Sequence, residues 1–187
     1  MPGPKLSLTR GDPRVSASNM NKIVLLFLLA VSALRAEERI VSAAGAVTET
    51  LYALGVQDAL VAVDVSSVFP AAADALPKIG YARQLSAEGI LSMKPTVVFV
   101  TEDAGPPEVL QQIASAGVKV VRLTNEHTAA AAAERIRQIG REVNKTEEAD
   151  KLAGALEADV LRADSLAAGM GARPRVLFIY ARGGGVM

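Results

Sequence analysis

The sequence has no cysteine, no tryptophan, a single histidine, and only 4% aromatic residues in a chain of 187. Without cysteine there is no disulfide, no thiol nucleophile, no thiolate zinc site and no iron–sulfur cluster. A bacterial lipid anchor is excluded too, because that anchor is attached to a cysteine. One histidine, His127, is too few for a histidine-rich zinc or manganese site. Neither sign of charge is in excess, since 20 basic residues balance 20 acidic ones. Nothing is left over to neutralise a phosphate backbone, which argues against nucleic-acid binding. The Gly-x-x-x-x-Gly-Lys-Ser/Thr loop that cradles phosphates is missing, as is the Gly-x-Ser-x-Gly elbow that presents a serine nucleophile. His127 follows a strand and precedes a helix start, with no nucleophile and orienting acid in a local motif, and reads as a solvated loop residue.

What is present is a globular composition, half of it hydrophobic, which supplies a real core. Near the start, Met20-Asn21-Lys22 is a short basic opening. The apolar run Ile23 to Val31 follows, then Ser32 and Ala33. This order of basic, apolar and small residues is that of a secretory signal, with cleavage expected after Ala33 or Ala36. The run is shorter than the ~20 residues a membrane-spanning helix needs. Residues 20–36 are therefore expected to be a signal peptide, delivering a free protein to a periplasm. Residues 1–19, rich in Pro, Gly, Ser and Arg, do not belong ahead of such a signal, and translation is expected to begin at Met20.

From Arg39 onward, strand-like and helix-like segments alternate. Strands are expected at Arg39 to Ser42, Ala59 to Val63, Thr96 to Val100 and Val118 to Leu123, each apolar and rich in β-branched residues. Helices are expected from Val47 to Leu54, from a Ser86 cap, from Pro106 or Pro107, and from Thr128, with Gly55 and Gly117 as stops. Residues 64–85, marked by Pro70, Pro77 and Gly80, read as a long irregular loop, and loops of that length are usually functional. Thr146 to Gly169 predicts a helix of about six turns, with Leu152, Leu156, Val160 and Ala163 as its apolar stripe. Arg175 to Tyr180 reads as a further strand, followed by the glycine turn Gly183 to Gly185. Alternating strands and helices imply an α/β fold with a mainly parallel sheet. A long helix followed by a lone strand looks like the opening of a second lobe.

The informative segment lies at the end of the long loop. Tyr81 follows Gly80, which permits close backbone approach to a ligand, and Arg83 is two residues on. A guanidinium favours the phenolate over the phenol, and tyrosinate is an axial ligand of haem iron. On chemistry alone the plainer reading, a boundary tyrosine packed on the surface, stands ahead of the ligand reading.

The motif Gly80-Tyr81-x-Arg83-x-Leu85-Ser86-x-Glu88-Gly89, with Leu91-Ser92-x-Lys94-Pro95 after it, resembles the corresponding stretch of periplasmic haemin-binding proteins of bacterial ABC haem importers. So do Val41-Ser42-Ala43-Ala44-Gly45-x-Val47-Thr48-Glu49, Tyr52-Ala53-Leu54-Gly55, Val63-Asp64, Phe69-Pro70 and Ala104-Gly105-Pro106-Pro107, from about Arg39 to the end. The resemblance implies an α/β fold of two lobes joined by a single long helix. Residues 37–145 would be the N-terminal lobe, 146–170 the connecting helix and 171–187 the start of a truncated C-terminal lobe. It further implies Tyr81 as the axial ligand of haem iron, Arg83 as support for the phenolate or partner of a propionate, and Glu88 as a surface acid that docks on the membrane permease. The same Glu88 also suits the positive end of a helix dipole. The expected function is thus a periplasmic, non-enzymatic haem carrier, monomeric when complete. A siderophore or cobalamin carrier on the same scaffold, and an exported α/β enzyme, are the alternatives.

Overall fold

The computed structural model describes residues 38–169 and 175–179. The expected signal at 20–36 and the stretch 1–19 lie outside these residues, as do Tyr180 and the glycine turn. Four parallel strands form one sheet: β1 (Ile40–Ser42), β2 (Leu60–Val63), β3 (Val97–Thr101) and β4 (Lys119–Leu123), in the order β2-β1-β3-β4. The helices are α1 (Gly45–Ala53), α2 (Ala71–Asp74), α3 (Ala87–Ser92), α4 (Pro107–Ser115), α5 (Ala129–Glu142) and α6 (Thr146–Ala168). This is the α/β fold with a parallel sheet that the alternation implied.

Both faces of the sheet are covered, which is why its strands read as unbroken apolar runs. Successive side chains point to opposite faces. Ile40, Val63, Val97 and Phe99 enter one core with Val47 and Leu51 of α1 and Ile139 of α5. Val41, Ala62, Val98 and Val100 enter the other with Ile90 of α3 and Leu110 and Ile113 of α4. Two helix starts are fixed by the residues expected to cap them. The Ser86 hydroxyl accepts from the Gly89 amide at 3.2 Å, and the Thr128 hydroxyl accepts from the Ala131 amide at 3.1 Å.

Three expectations need correction. The first helix was expected from Val47, but it begins two residues earlier, at Gly45. A side chain there would press on the Ser66 carbonyl oxygen, 3.3 Å from the added Cβ, so the glycine serves close approach. In α6 the buried residues are Ala149 and Ala153, while Ala163 of the expected stripe is exposed along with Leu161 and Leu166. The start of α6 crosses α5 tightly at Gly140. A Cβ there would lie 2.2 Å from that of Ala149, so only glycine fits at 140, while Leu152 of the expected stripe packs against the core beside it. Across the same pair, Arg137 grips Glu157 with two bonds of 2.8 and 3.1 Å. Finally, residues 175–179 form no strand, and Val176 to Ile179 are exposed. An apolar, β-branched segment becomes a strand only where a neighbour completes its ladder, and none of β1 to β4 pairs with it.

Candidate functional site

The strand order sets the position of the site. β1 leads outward to β2, and the chain then returns past β1 to build β3 and β4 on the other side. Loops at the carboxyl ends of β1 and β3 therefore diverge, leaving a crevice of the kind where open α/β sheets bind ligands. A cavity of about 310 Å³ occupies it. Its floor is Ala43, Ala44 and Gly45 after β1, and its walls carry Tyr81, Arg83, Asp103 and His127. A larger groove, about 530 Å³, lies between α1, α5 and α6; its lining is mostly apolar, with Glu49, Thr50, Arg135 and Asp159 as its polar members, and neither Tyr81 nor Arg83 reaches it.

Residues 64–85 are less irregular than expected. After β2 the chain makes α2 and then returns beside β2, where Lys78 bridges Val63 in parallel. The Val65 amide donates to the Gly80 carbonyl at 3.0 Å. Gly80 has φ of +89°, a conformation side chains disfavour, and this reverses the chain so that Tyr81 meets the cavity. Beyond it, a 3-10 turn (Ala82–Gln84) is pinned by the Gln84 amide on the Tyr81 carbonyl at 2.8 Å. The loop after β3 holds it from the other side, with the Gly105 amide on the Ala82 carbonyl at 3.0 Å. The Tyr81 backbone is thus fixed by both strand ends, while its side chain is half exposed.

Beneath the cavity runs a buried polar network. Thr48 of α1 bonds to the hydroxyls of Ser42 and Ser67, both at 2.8 Å, and Ser67 donates to Asp64 at 2.6 Å. Asp64 also accepts from the amide and hydroxyl of Ser66 at 3.1 and 2.5 Å. Lys78 closes the loop by donating to the Ser67 carbonyl at 2.9 Å. No buried side-chain polar atom among the described residues is unsatisfied, so this network is scaffold holding the β1 and β2 ends together.

Of the three residues singled out in the sequence, two meet in the cavity and one does not. Tyr81 and Arg83 share its wall. Glu88 is exposed in the first turn of α3, outside the cavity lining. Arg83 differs from expectation in one respect: its guanidinium already bonds Asp103 through two nitrogens, at 2.9 and 2.7 Å. Asp103 also accepts from the Thr101 hydroxyl at 2.7 Å. These bonds, that of Thr101 first and that of Arg83 second, hold the Asp103 carboxyl below its usual range. In turn the Asp103 bond first, and the neighbouring Tyr81 oxygen next, hold the Arg83 guanidinium more firmly protonated. Asp103 joins the site with no motif to announce it, an acid just beyond a buried strand being the available signal, and His127 stands on the cavity wall rather than on an uninvolved loop.

The chain can be set beside known proteins. A family model described as periplasmic binding protein matches residues 40–187. The chain is similar to the solved periplasmic heme-binding protein RhuT from Roseiflexus sp. RS-1, at 41% identity and a TM-score of 0.75, over 81% of this chain and 58% of that one. It is similar to the periplasmic heme-binding protein HutB of Vibrio cholerae at 36% identity and a TM-score of 0.66, covering 75% and 53%. The vitamin B12-binding protein of Yersinia pseudotuberculosis is 33% identical over 98 residues, which are 52% of this chain and 35% of that protein. The matched part is thus about a third of the length of that curated relative and more than half of each of those solved chains. With the matched region beginning at the first residue of β1 and taking in every wall of the crevice, the chain belongs to the periplasmic binding protein family.

Proposed function

We propose that this chain is the haem-binding component of an ABC importer and holds ferric haem through the Tyr81 phenolate. The observation that carries the reading is the position of Tyr81, half exposed on the cavity wall with a guanidinium beside it. A tyrosine oxygen exposed to the cavity is of the type that ligates haem iron. Exposed Val65 and Val68 on the same loop offer apolar contact to a porphyrin face. The residues present therefore suit an iron porphyrin with acidic side chains. Glu88, on the exposed start of α3, is the group we assign to docking on the permease. The family is periplasmic, and segment 20–36 is read as the signal that exports the chain there. Residues 37–145 act as the ligand-capturing lobe, 146–170 as the connecting helix and 171–187 as the start of a second lobe.

Cobalamin is the second reading, favoured by the curated vitamin B12-binding relatives. It has no need of an anionic tyrosine. The two are separated by titrating the purified chain with haemin and with cyanocobalamin, with Tyr81→Phe alongside. A saturable haemin spectrum with a tyrosinate-to-iron band, lost in Tyr81→Phe, is the expected result. Saturation by cyanocobalamin alone, unchanged in Tyr81→Phe, refutes the haem reading.

A further inference from the structure

We infer that Asp103 is a positioning residue for acidic cargo, holding Arg83 so that one edge of its guanidinium stays open to a carboxylate of the bound molecule. The inference rests on the haem reading above, whose cargo carries carboxylate side chains. A guanidinium can meet a carboxylate along either of two edges. One is formed by Nε with a terminal nitrogen, the other by the two terminal nitrogens. In Arg83 the first edge is taken, because Nε and Nη2 both donate to Oδ2 of Asp103, at 2.9 and 2.7 Å. Nη1 donates to no group among the described residues, so the edge between the terminal nitrogens is open. The Arg83 side chain is 59% exposed and lines the cavity, where a carboxylate can reach that edge without displacing Asp103.

Asp103 is itself held in place. Its Oδ1 accepts from the hydroxyl of Thr101, the last residue of β3, so both carboxylate oxygens are engaged. The backbone on either side of Arg83 is stitched to the same loop, with the Gly105 amide on the Ala82 carbonyl and the Leu85 amide on the Gly105 carbonyl, at 3.0 and 2.8 Å. Arg83 is thus anchored to the end of β3 through both main chain and side chain. A long side chain that must be immobilised as cargo binds costs about two- to tenfold in affinity, a loss that an arginine ordered beforehand avoids. Charge alone predicts the opposite effect. Asp103 neutralises the cation, so on Coulomb's law its removal would strengthen the attraction for an anion. The two roles therefore differ in the sign of what Asp103 does to acidic cargo.

The test compares haemin with haemin dimethyl ester, whose carboxylates are masked, by absorbance titration of the purified chain and its variants. The wild type is expected to prefer haemin. Asp103→Ala is expected to lower that preference by about two- to tenfold, the cost of ordering Arg83 during binding. In an Arg83→Ala background the same substitution is expected to move the preference no further, because Asp103 acts through the arginine. Asp103→Asn keeps an oxygen that both nitrogens can reach and loses the charge, and is expected to retain most of the preference. A higher preference in Asp103→Ala shows a competitor of the cargo and overturns the inference. An equal loss of both ligands in Asp103→Ala marks a structural role and overturns it too, as does a wild type that binds the two equally. Each of these leaves the Tyr81 reading intact. Failure of the wild type to bind haemin overturns the haem reading, and this inference with it.

Discussion

Substituting Gly140 by alanine tests the crossing that fastens the long helix to the lobe. The new methyl would stand 2.2 Å from the Ala149 Cβ and 2.9 Å from the Lys145 carbonyl oxygen. Carbon atoms rest about 3.5–4.0 Å apart, so the helices would have to separate by roughly 1.5 Å. Neither obstacle can rotate away, since one is an alanine Cβ and the other is backbone. Overpacking of this kind costs about 1–3 kcal/mol, and the overlap puts Gly140→Ala at the upper end. Alanine regains about 1 kcal/mol of helix propensity, leaving a net loss of about 2 kcal/mol. Gly154 supplies the control. It lies in α6 with nothing within 4 Å of an added Cβ, so Gly154→Ala should gain up to about 1 kcal/mol from propensity alone. Urea unfolding followed by circular dichroism at 222 nm reads both, the two variants moving the midpoint in opposite directions. Ala149→Gly in the Gly140→Ala background should recover part of the loss. A Gly140→Ala chain that unfolds at or above the wild-type urea concentration would refute the close crossing.

Two further predictions concern the ends of β3 and the start of α3. Ser86→Ala removes the hydroxyl that accepts from Gly89 and should cost about 0.5–2 kcal/mol in the same urea assay, whereas Ser86→Asp should keep most of the stability. Thr101→Val removes the first cause of the lowered Asp103 pKa, so the carboxyl should titrate closer to the ordinary carboxylate range when followed by nuclear magnetic resonance. A depressed carboxylate contributes stability that is present above its unfolded pKa and is lost as pH falls through the folded one, so this contribution should survive further into acid in the wild type than in Thr101→Val. An unmoved midpoint would show that Arg83 alone holds Asp103 down.

The fold was legible because its signals are local. The apolar run from Val97 to Val100 can only be a strand covered on both faces, and Ser86 and Thr128 announce helix starts through short side chains that reach their own backbone. Where the reading failed, the deciding partner was distant in sequence. That Gly45 opens α1 is not visible until Ser66 arrives beside it, and the seam of α6 cannot be located without knowing that Gly140 lies under Ala149. The segment 175–179 has every property of a strand except a neighbour, and hydrophobic periodicity carries no information about neighbours.

The site divides along the same line. Tyr81 and Arg83 were found because they lie two residues apart in one motif, which a linear reading detects. Asp103 and His127 belong to the same cavity through the strand order β2-β1-β3-β4, which brings the ends of β3 and β4 to the crevice. Their chemistry was visible in the sequence, but their proximity was not. The omission changes the electrostatics. Arg83 seen alone is a cation waiting for a propionate, yet with Asp103 it is one half of a neutral pair. An acidic cargo then has to compete with Asp103 for the guanidinium, or approach the pair from its open side. Both members keep solvent contact, so the exchange is cheap, and a ligand carboxylate can replace Asp103 without leaving a charge buried and unpaired. A pair of this kind keeps the arginine oriented while the cavity is empty and still releases it to a stronger partner.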